Sequence, residues 1–529
     1  MNKIGFQNFR RFIDFPPIEY GGITFLVGRN NAGKSTLVKA IILIDNYFKS
    51  KNYPKFSFGN NILEDANIVT FGRAKNHFSS SDVIEFYAEL EDYGIGIIVS
   101  GEEDKSFANV ALLSIHDLQE GVEFSFDYIN NTITIRKQTG TSHISVDFAP
   151  QVDLELEIED IENEIKLSKL KKTSKEYIEL ITLLDSLKKK KTEFNKTDLI
   201  TKPKQTFNLT TDFSSNLDIL EIVLGAIRVF KNNYDYQFKL VQEGKKASSE
   251  FEDLRAFKEF EPIMVESIFT HFTTLIHDFS IAYLGASSTK QSALFAIRDK
   301  NNALAQAIHE YVQLGIKKGE DEYLFVTSWM KEFEIGSDFE IKIHAGEAYE
   351  VLINSNNHVI QLADKGMGSI QAMLLILRIA CVIKKIKNAE KNSTASIGKK
   401  ISDSSKNRLI DKTTIIIEEP ELNLHPALQS KITDLLFYTY EKYKIDFLIE
   451  THSEYIVRRS QVLVIEKDLA LTDLSSNPFK AYYFDNDKLP YGLNYNADGT
   501  FDKNFGKGFF DEASSSTLEL IKLKRQKSS

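Results

Sequence analysis

Short apolar, β-branched runs separated by polar turns mark the first 150 positions: GITFLVG, IEFYAEL, GIGIIVS and TITIRK. Runs of this length and composition predict strands. The first passes through a glycine-containing loop into KSTLVKAIILIDNYF, whose apolar positions recur at helical spacing without a breaker. Residues 153–196 change period. Leu154, Ile158, Ile161 and Ile165 step by four, three and four; after KKTSK the series resumes at Tyr177, Leu180, Leu184, Leu187 and Phe194, with Lys191 as its polar lapse. This predicts an antiparallel helical hairpin over 151–205 with a coiled-coil seam, each arm about 30 Å long. The lysine run at 187–191 makes it either a solvated protrusion or a docking arm for DNA or a partner.

Residues 206–330 carry three-to-four spacing in LDILEIVLGAIRVFKNNY, FEPIMVESIFTHFTTLIHDF and NALAQAIHEYVQLGI, which predicts a mainly helical insertion. Strand-like runs return at FEIKIHA and AYEVLIN. The polar stretch 388–411 predicts a mobile surface loop. Beyond it β and α segments alternate to about residue 485, and AYYFDND with YGLNYNADGTF predicts a closing hairpin.

Composition narrows this picture little. The 529 residues can hold two or three domains, and an apolar share of 42% is ordinary for a globular chain. A net charge of −10 confines any nucleic-acid contact to a local patch. The single cysteine, Cys381, leaves no internal disulfide and lies in an apolar run, as a buried small hydrophobe would. No apolar leader precedes the first strand and no eighteen apolar residues run together, so the expectation is a soluble cytoplasmic protein without a membrane span.

Four stretches carry chemistry. LVGRNNAGKST fits the phosphate-loop pattern with Gly28, Gly33, Lys34 and Ser35. Such a loop turns backbone N–H groups onto a phosphate, its lysine neutralises the β- and γ-phosphates, and its hydroxyl ligates Mg²⁺. TTIIIEEPELNLHP predicts a buried strand ending in Glu418 and Glu419. Successive residues there point different ways, so Glu418 can serve magnesium while Glu419 orients or deprotonates the attacking water. KIDFLIETHSEY predicts a neighbouring parallel strand presenting His452 as a γ-phosphate sensor. LADKGMGSIQAMLLILRIA places a glycine turn with Ser369 at a second helix N-terminus. One nucleotide cannot easily use two such termini from one chain, so this turn is expected to cap the nucleotide of a second protomer.

In this order the four parts resemble the ABC-type ATPases of the SMC-like class. The resemblance is nearest to bacterial ATPases related to the overcoming-lysogenization-defect family and to the PtuA-type ATPase subunits of Septu-type, retron-associated antiphage defence systems. Residues 1–45 and 360–515 carry it, including FQNFRRF, EEPELNLHP, ETHSEY and GKGFFDEA. It implies an α/β fold: an ABC-type ATPase head with a mixed β-sheet flanked by helices, built from 1–150 and 331–529 and interrupted by the hairpin and the helical insertion. It also implies ATP and Mg²⁺ bound by Gly28, Asn30, Asn31, Ala32, Gly33, Lys34, Ser35 and Thr36, with Arg10 or Arg11 contacting nucleotide. Glu418 would serve magnesium beside Ser35, Glu419 would be catalytic, and His452 would be the switch histidine. Gly366, Gly368, Ser369 and Gln371 would form the signature motif, acting across a head-to-tail homodimer or a higher oligomer. Relatives often carry serine directly before the signature glutamine, where this chain has Ile370. The glutamine that usually completes the magnesium shell has no counterpart that can be placed. The implied function is an ATP-hydrolysing regulator of a separate effector, such as an HNH-type nuclease, in antiphage defence.

Two other functions compete. An ATP-dependent DNA-repair or recombination clamp would bind DNA with steep salt dependence. An intrinsic nuclease would need elements that VLVIEKD and DND imitate, but only 18 residues separate Glu466 from Asp485, too few for the crossover such a site requires. The DND reads as a hairpin turn.

Overall fold

The computed structural model describes residues 2–59, 68–138, 206–285, 292–299, 302–355, 358–396, 413–469, 477–506, 510 and 516–523. The expected coiled-coil hairpin and most of GKGFFDEA lie outside these residues. The chain divides into two units. One comprises Met1–Ser114, Asp127–Ile129 and Thr270–Ser529; the other comprises Ile115–Phe126 and Asn130–Phe269.

The first unit is built on a six-stranded sheet in the order Ser280–Leu284, Thr413–Glu418, Asp446–Glu450, Ile23–Gly28, Phe479–Phe484, Tyr491–Leu493. The first five strands are parallel and the last is antiparallel. Ile23–Gly28 is buried along its whole length, and Thr413–Glu418 is buried up to its final residue. Strands covered on both faces must be apolar throughout, which is why these read as continuous β-branched runs. Because the strands are parallel, their carboxyl ends share one edge. Glu418 pairs in register with Glu450, Glu450 with Leu26, and Gly28 with Phe484. Ligands of open α/β sheets bind at this edge.

Helices Lys34–Ser50, Met367–Ser396, Pro426–Tyr443 and Glu454–Glu466 belong to the same unit. Met367–Ala389 is the one helix among the described residues apolar and long enough to cross a membrane, but 67% of its most apolar window is buried. Cys381 is buried on it, and Arg378 and Lys384 pair with Glu310 and Glu320 at 2.6 Å. Its apolar length serves the core. The helix runs on to Ser396, well into the stretch expected to be loop from 388, because no glycine or proline interrupts the chain before Gly398. The same unit holds an antiparallel array in which Asn2–Phe9 pairs with Phe12–Tyr20 and Val83–Leu90, and the latter with Tyr93–Ser100.

The second unit contains strand Thr132–Lys137 paired antiparallel with Phe207–Asp212. Its helix Ile219–Gln242 starts at a capping box formed by Asp218 and Glu221, and Phe257 packs edge-on against Phe207 and Phe230. The insertion ends at Phe269, not at 330. Ser280–Leu284 is a strand of the main sheet, and Ala303–Gln313 and Asp321–Glu332 contribute Ile308, Val326 and Trp329 to the core of the first unit. Helical spacing reports a buried face without saying which core it meets. The β-rich stretch 1–150 is likewise divided, residues 115–126 falling in the second unit.

Candidate functional site

Gly28 ends the buried strand at φ +136° and Gly33 opens the following helix at φ +99°. A Cβ on Gly28 would stand 2.1 Å from the Phe484 carbonyl oxygen, and one on Gly33 would stand 2.4 Å from the Phe12 ring. Only glycine satisfies both the dihedral and the space. Gly28→Ala should therefore destabilise the protein by about 2 kcal/mol or more and abolish nucleotide binding. Thermal melting with and without ATP checks this, and an unchanged midpoint would contradict it.

Lys34 is 3% exposed. Its Nζ donates to the carbonyl oxygens of Gly28 and Arg29 at 3.2 and 3.0 Å, so the lysine closes the loop on itself. Burial lowers its pKa, opposed by Glu450, Glu419 and Glu421. The Ser35 hydroxyl donates to Glu450 Oε2 at 2.8 Å. Burial, and then neighbouring Glu418, push the Glu450 carboxyl up to about 7.

The loop opens into a cavity of about 440 Å³ lined by Asn31, Ala32, Gly33, Lys34, Ser35 and Thr36. Arg10, Arg11, Lys39, Arg73, Lys75 and Glu450 complete most of its wall. Burial, and then the nearby Arg73, lower the pKa of Arg10; burial, and then Arg10, lower that of Lys39. Cations crowded into one concavity raise the potential there and favour a polyanion. The two arginines differ. Arg11 is held by the protein, donating to the Asn31 carbonyl, to Asn486 Oδ1 at 3.2 Å and to the Asn486 carbonyl at 2.5 Å. Arg10 has φ +51°, with its N–H bonded to Ala74 O and its carbonyl accepting from Asn76. Asn30 is exposed on the loop.

Glu419 follows the strand at φ +48°, a left-handed conformation uncommon for a residue with a Cβ. Its N–H donates to Glu450 O at 2.8 Å, which fixes the turn against the adjacent strand. Strained, over-determined backbone of this kind is concentrated at functional sites. Glu421 Oε1 accepts the His452 N–H at 2.6 Å, holding the loop that carries the imidazole. Burial, and then Lys34, lower His452 to about 4, so the ring is neutral at physiological pH and carries one donor and one acceptor.

Gly366, Gly368, Ser369 and Gln371 do not line this cavity, and neither do Glu418, Glu419 and His452. Gly368 packs on the segment beyond the acidic strand, where a Cβ would meet Asn423 O at 2.7 Å. Ile370 is buried in the core and Ser369 is half-buried beside exposed Gly366, so Ser369 supplies the hydroxyl of this turn.

Glu450, Lys39, Arg73, Lys75 and Asn486 were not among the sequence candidates. Glu450 had a readable signal, an acid closing the apolar run FLIE, but its neighbour in the sheet depends on strand order. In the nuclease-like elements, Glu466 ends a helix 3.5 Å from Arg459, while Asn486 of DND bonds Arg11. Among the described residues no group of three or more His, Cys, Asp or Glu is arranged to hold a metal alone. A magnesium ion beside Ser35 would take phosphate oxygens and water as further ligands, and a donor set of the Ser35 hydroxyl and the Glu418 carboxylate fits it.

Comparison with solved structures finds the Smc head domain of Pyrococcus furiosus, with an extended coiled coil and bound to the C-terminal domain of ScpA. It is 12% identical, with 99% of this chain and 100% of that chain covered and a TM-score of 0.32. The SMC head domain from Thermotoga maritima is 9% identical, with 93% and 98% covered and a TM-score of 0.30. No curated protein matches the chain significantly. Residues 1–457 match the AAA ATPase domain family. That match takes in the phosphate loop, the acidic strand and the histidine strand together, and the chain belongs to the AAA ATPase domain family as an ATPase.

Proposed function

We propose that this ATPase is of the SMC-like, ABC-type kind. Two copies close head to tail on ATP, and the closed pair regulates a separate effector, an HNH-type nuclease by resemblance to Septu-type systems, in bacterial antiphage defence. The observation that supports the ATPase core of this reading is that the phosphate loop, Glu450 and a basic wall share one cavity, at the sheet edge that also carries Glu418; the head-to-tail pairing rests on the resemblance of the turn Gly366–Gln371 to a signature motif. A second copy can bring that turn to the open side.

Each residue then has a task. The loop N–H groups and Lys34 receive the β- and γ-phosphates, and Arg10 adds charge from the wall. Ser35 and Glu418 would hold magnesium, which when bound neutralises phosphate charge. Glu419 accepts a proton from the attacking water. Neutral His452 donates one hydrogen bond to the terminal phosphate, a bond that ADP cannot accept. Ser369 of the second copy closes the site with its helix N-terminus.

Purifying Glu419→Gln from its native operon, with and without ATP, tests the regulatory part. A nuclease-class protein co-purifying in one nucleotide state is the expected result. Recovery of the chain bound only to DNA, released steeply by salt, would replace this reading with the DNA clamp.

A further inference from the structure

Two carboxylates end neighbouring parallel strands at the same register step, Glu418 opposite Glu450. The first has a task in the scheme above and the second has none. Glu450 is 6% exposed, yet it reaches the wall of the phosphate cavity. Its Oε1 lies 3.8 Å from Lys34 Nζ, and that ammonium is already shared with two backbone carbonyls. A buried carboxylate with so little compensation is costly unless a cation completes its surroundings. The phosphates would draw Lys34 further away from it.

We propose that Glu450 is a direct protein ligand of the magnesium ion that accompanies ATP, beside the Ser35 hydroxyl. The proposal rests on the ATPase reading. Magnesium holds oxygen ligands in a near-ideal octahedron at 2.0–2.1 Å, so adjacent ligands stand about 2.9 Å apart. Ser35 Oγ and Glu450 Oε2 are 2.8 Å apart. The two oxygens already have the spacing of neighbouring corners, and only the hydroxyl hydrogen must turn aside. The strand end is fixed as well, since the Glu450 carbonyl accepts the Glu419 N–H at 2.8 Å. One short element thus ties the proposed metal position to the turn that carries Glu419.

Glu450→Met removes both oxygen donors at nearly the same side-chain length, so no metal ligand is left at this position, and binding without metal reads what the change does to the loop. Binding of the non-hydrolysable analogue AMPPNP to the full-length protein is measured in Mg²⁺ and in EDTA. Wild type should bind at least about tenfold tighter with Mg²⁺. Glu450→Met should lose most of that gain while its affinity in EDTA stays within about twofold of wild type, a result that also shows it folded. A full Mg²⁺ gain in Glu450→Met would overturn the proposal. So would an equal loss in EDTA, which would assign Glu450 to shaping the loop. Wild type that binds AMPPNP in neither condition would instead defeat the ATPase reading itself.

Discussion

Glu419→Gln should cut ATP turnover by about 10²- to 10⁴-fold, the range that a positioned general base supplies, while ATP affinity changes by no more than about threefold. The substitution is nearly isosteric. The turn survives it, because the bond that fixes position 419 runs from its backbone N–H to Glu450 O. What is lost is the basic oxygen proposed to accept the water proton. Phosphate release measured beside nucleotide binding separates the two effects. Normal turnover would mean that the catalytic carboxylate is misassigned, with Glu418 and Glu450 the next to test.

Lys34→Ala should weaken ATP binding by about 100-fold, close to 2.7 kcal/mol, the scale of charge-assisted hydrogen bonds to phosphate. Two losses combine. The phosphates lose their buried cation, and the loop loses the bonds from Nζ to Gly28 O and Arg29 O. Glu450 also loses the ammonium 3.8 Å away. Under the proposed ATP-driven pairing, this variant should remain a single copy at ATP concentrations that pair the wild type. Titration of a fluorescent ATP analogue reads the affinity directly, and an affinity within threefold of wild type would contradict the role given to Lys34.

The strand ends at the candidate site were legible in the chain because each joins a period that only a buried strand tolerates to residues that such a strand should not bear. Gly28, Glu418 and Glu419 could be found this way, and so could the pairing of the acidic and histidine strands, which are joined by a single helix. Glu450 was hidden by the same logic, since one acid closing an apolar run is also how an ordinary strand meets solvent. Its meaning came from the register with Glu418 and the 2.8 Å bond to Ser35, both long-range facts. Arg73 and Lys75 lie around a short helix far along the chain from the loop they face, and no local spacing announces them. Asn486 looked like a turn residue and is also a support for Arg11. The strand Ser280–Leu284 was absorbed into helical surroundings because it is short and follows a helix almost directly.

All of these roles depend on one claim, that a protomer's nucleotide site is finished by the glycine turn of another copy. Sedimentation of Glu419→Gln with and without ATP addresses it most directly. The particle mass should double on ATP, and the specific activity of wild type should rise with its own concentration until pairing is complete. A particle that keeps the mass of one chain with ATP bound, together with wild-type hydrolysis at full rate at every dilution, would contradict it.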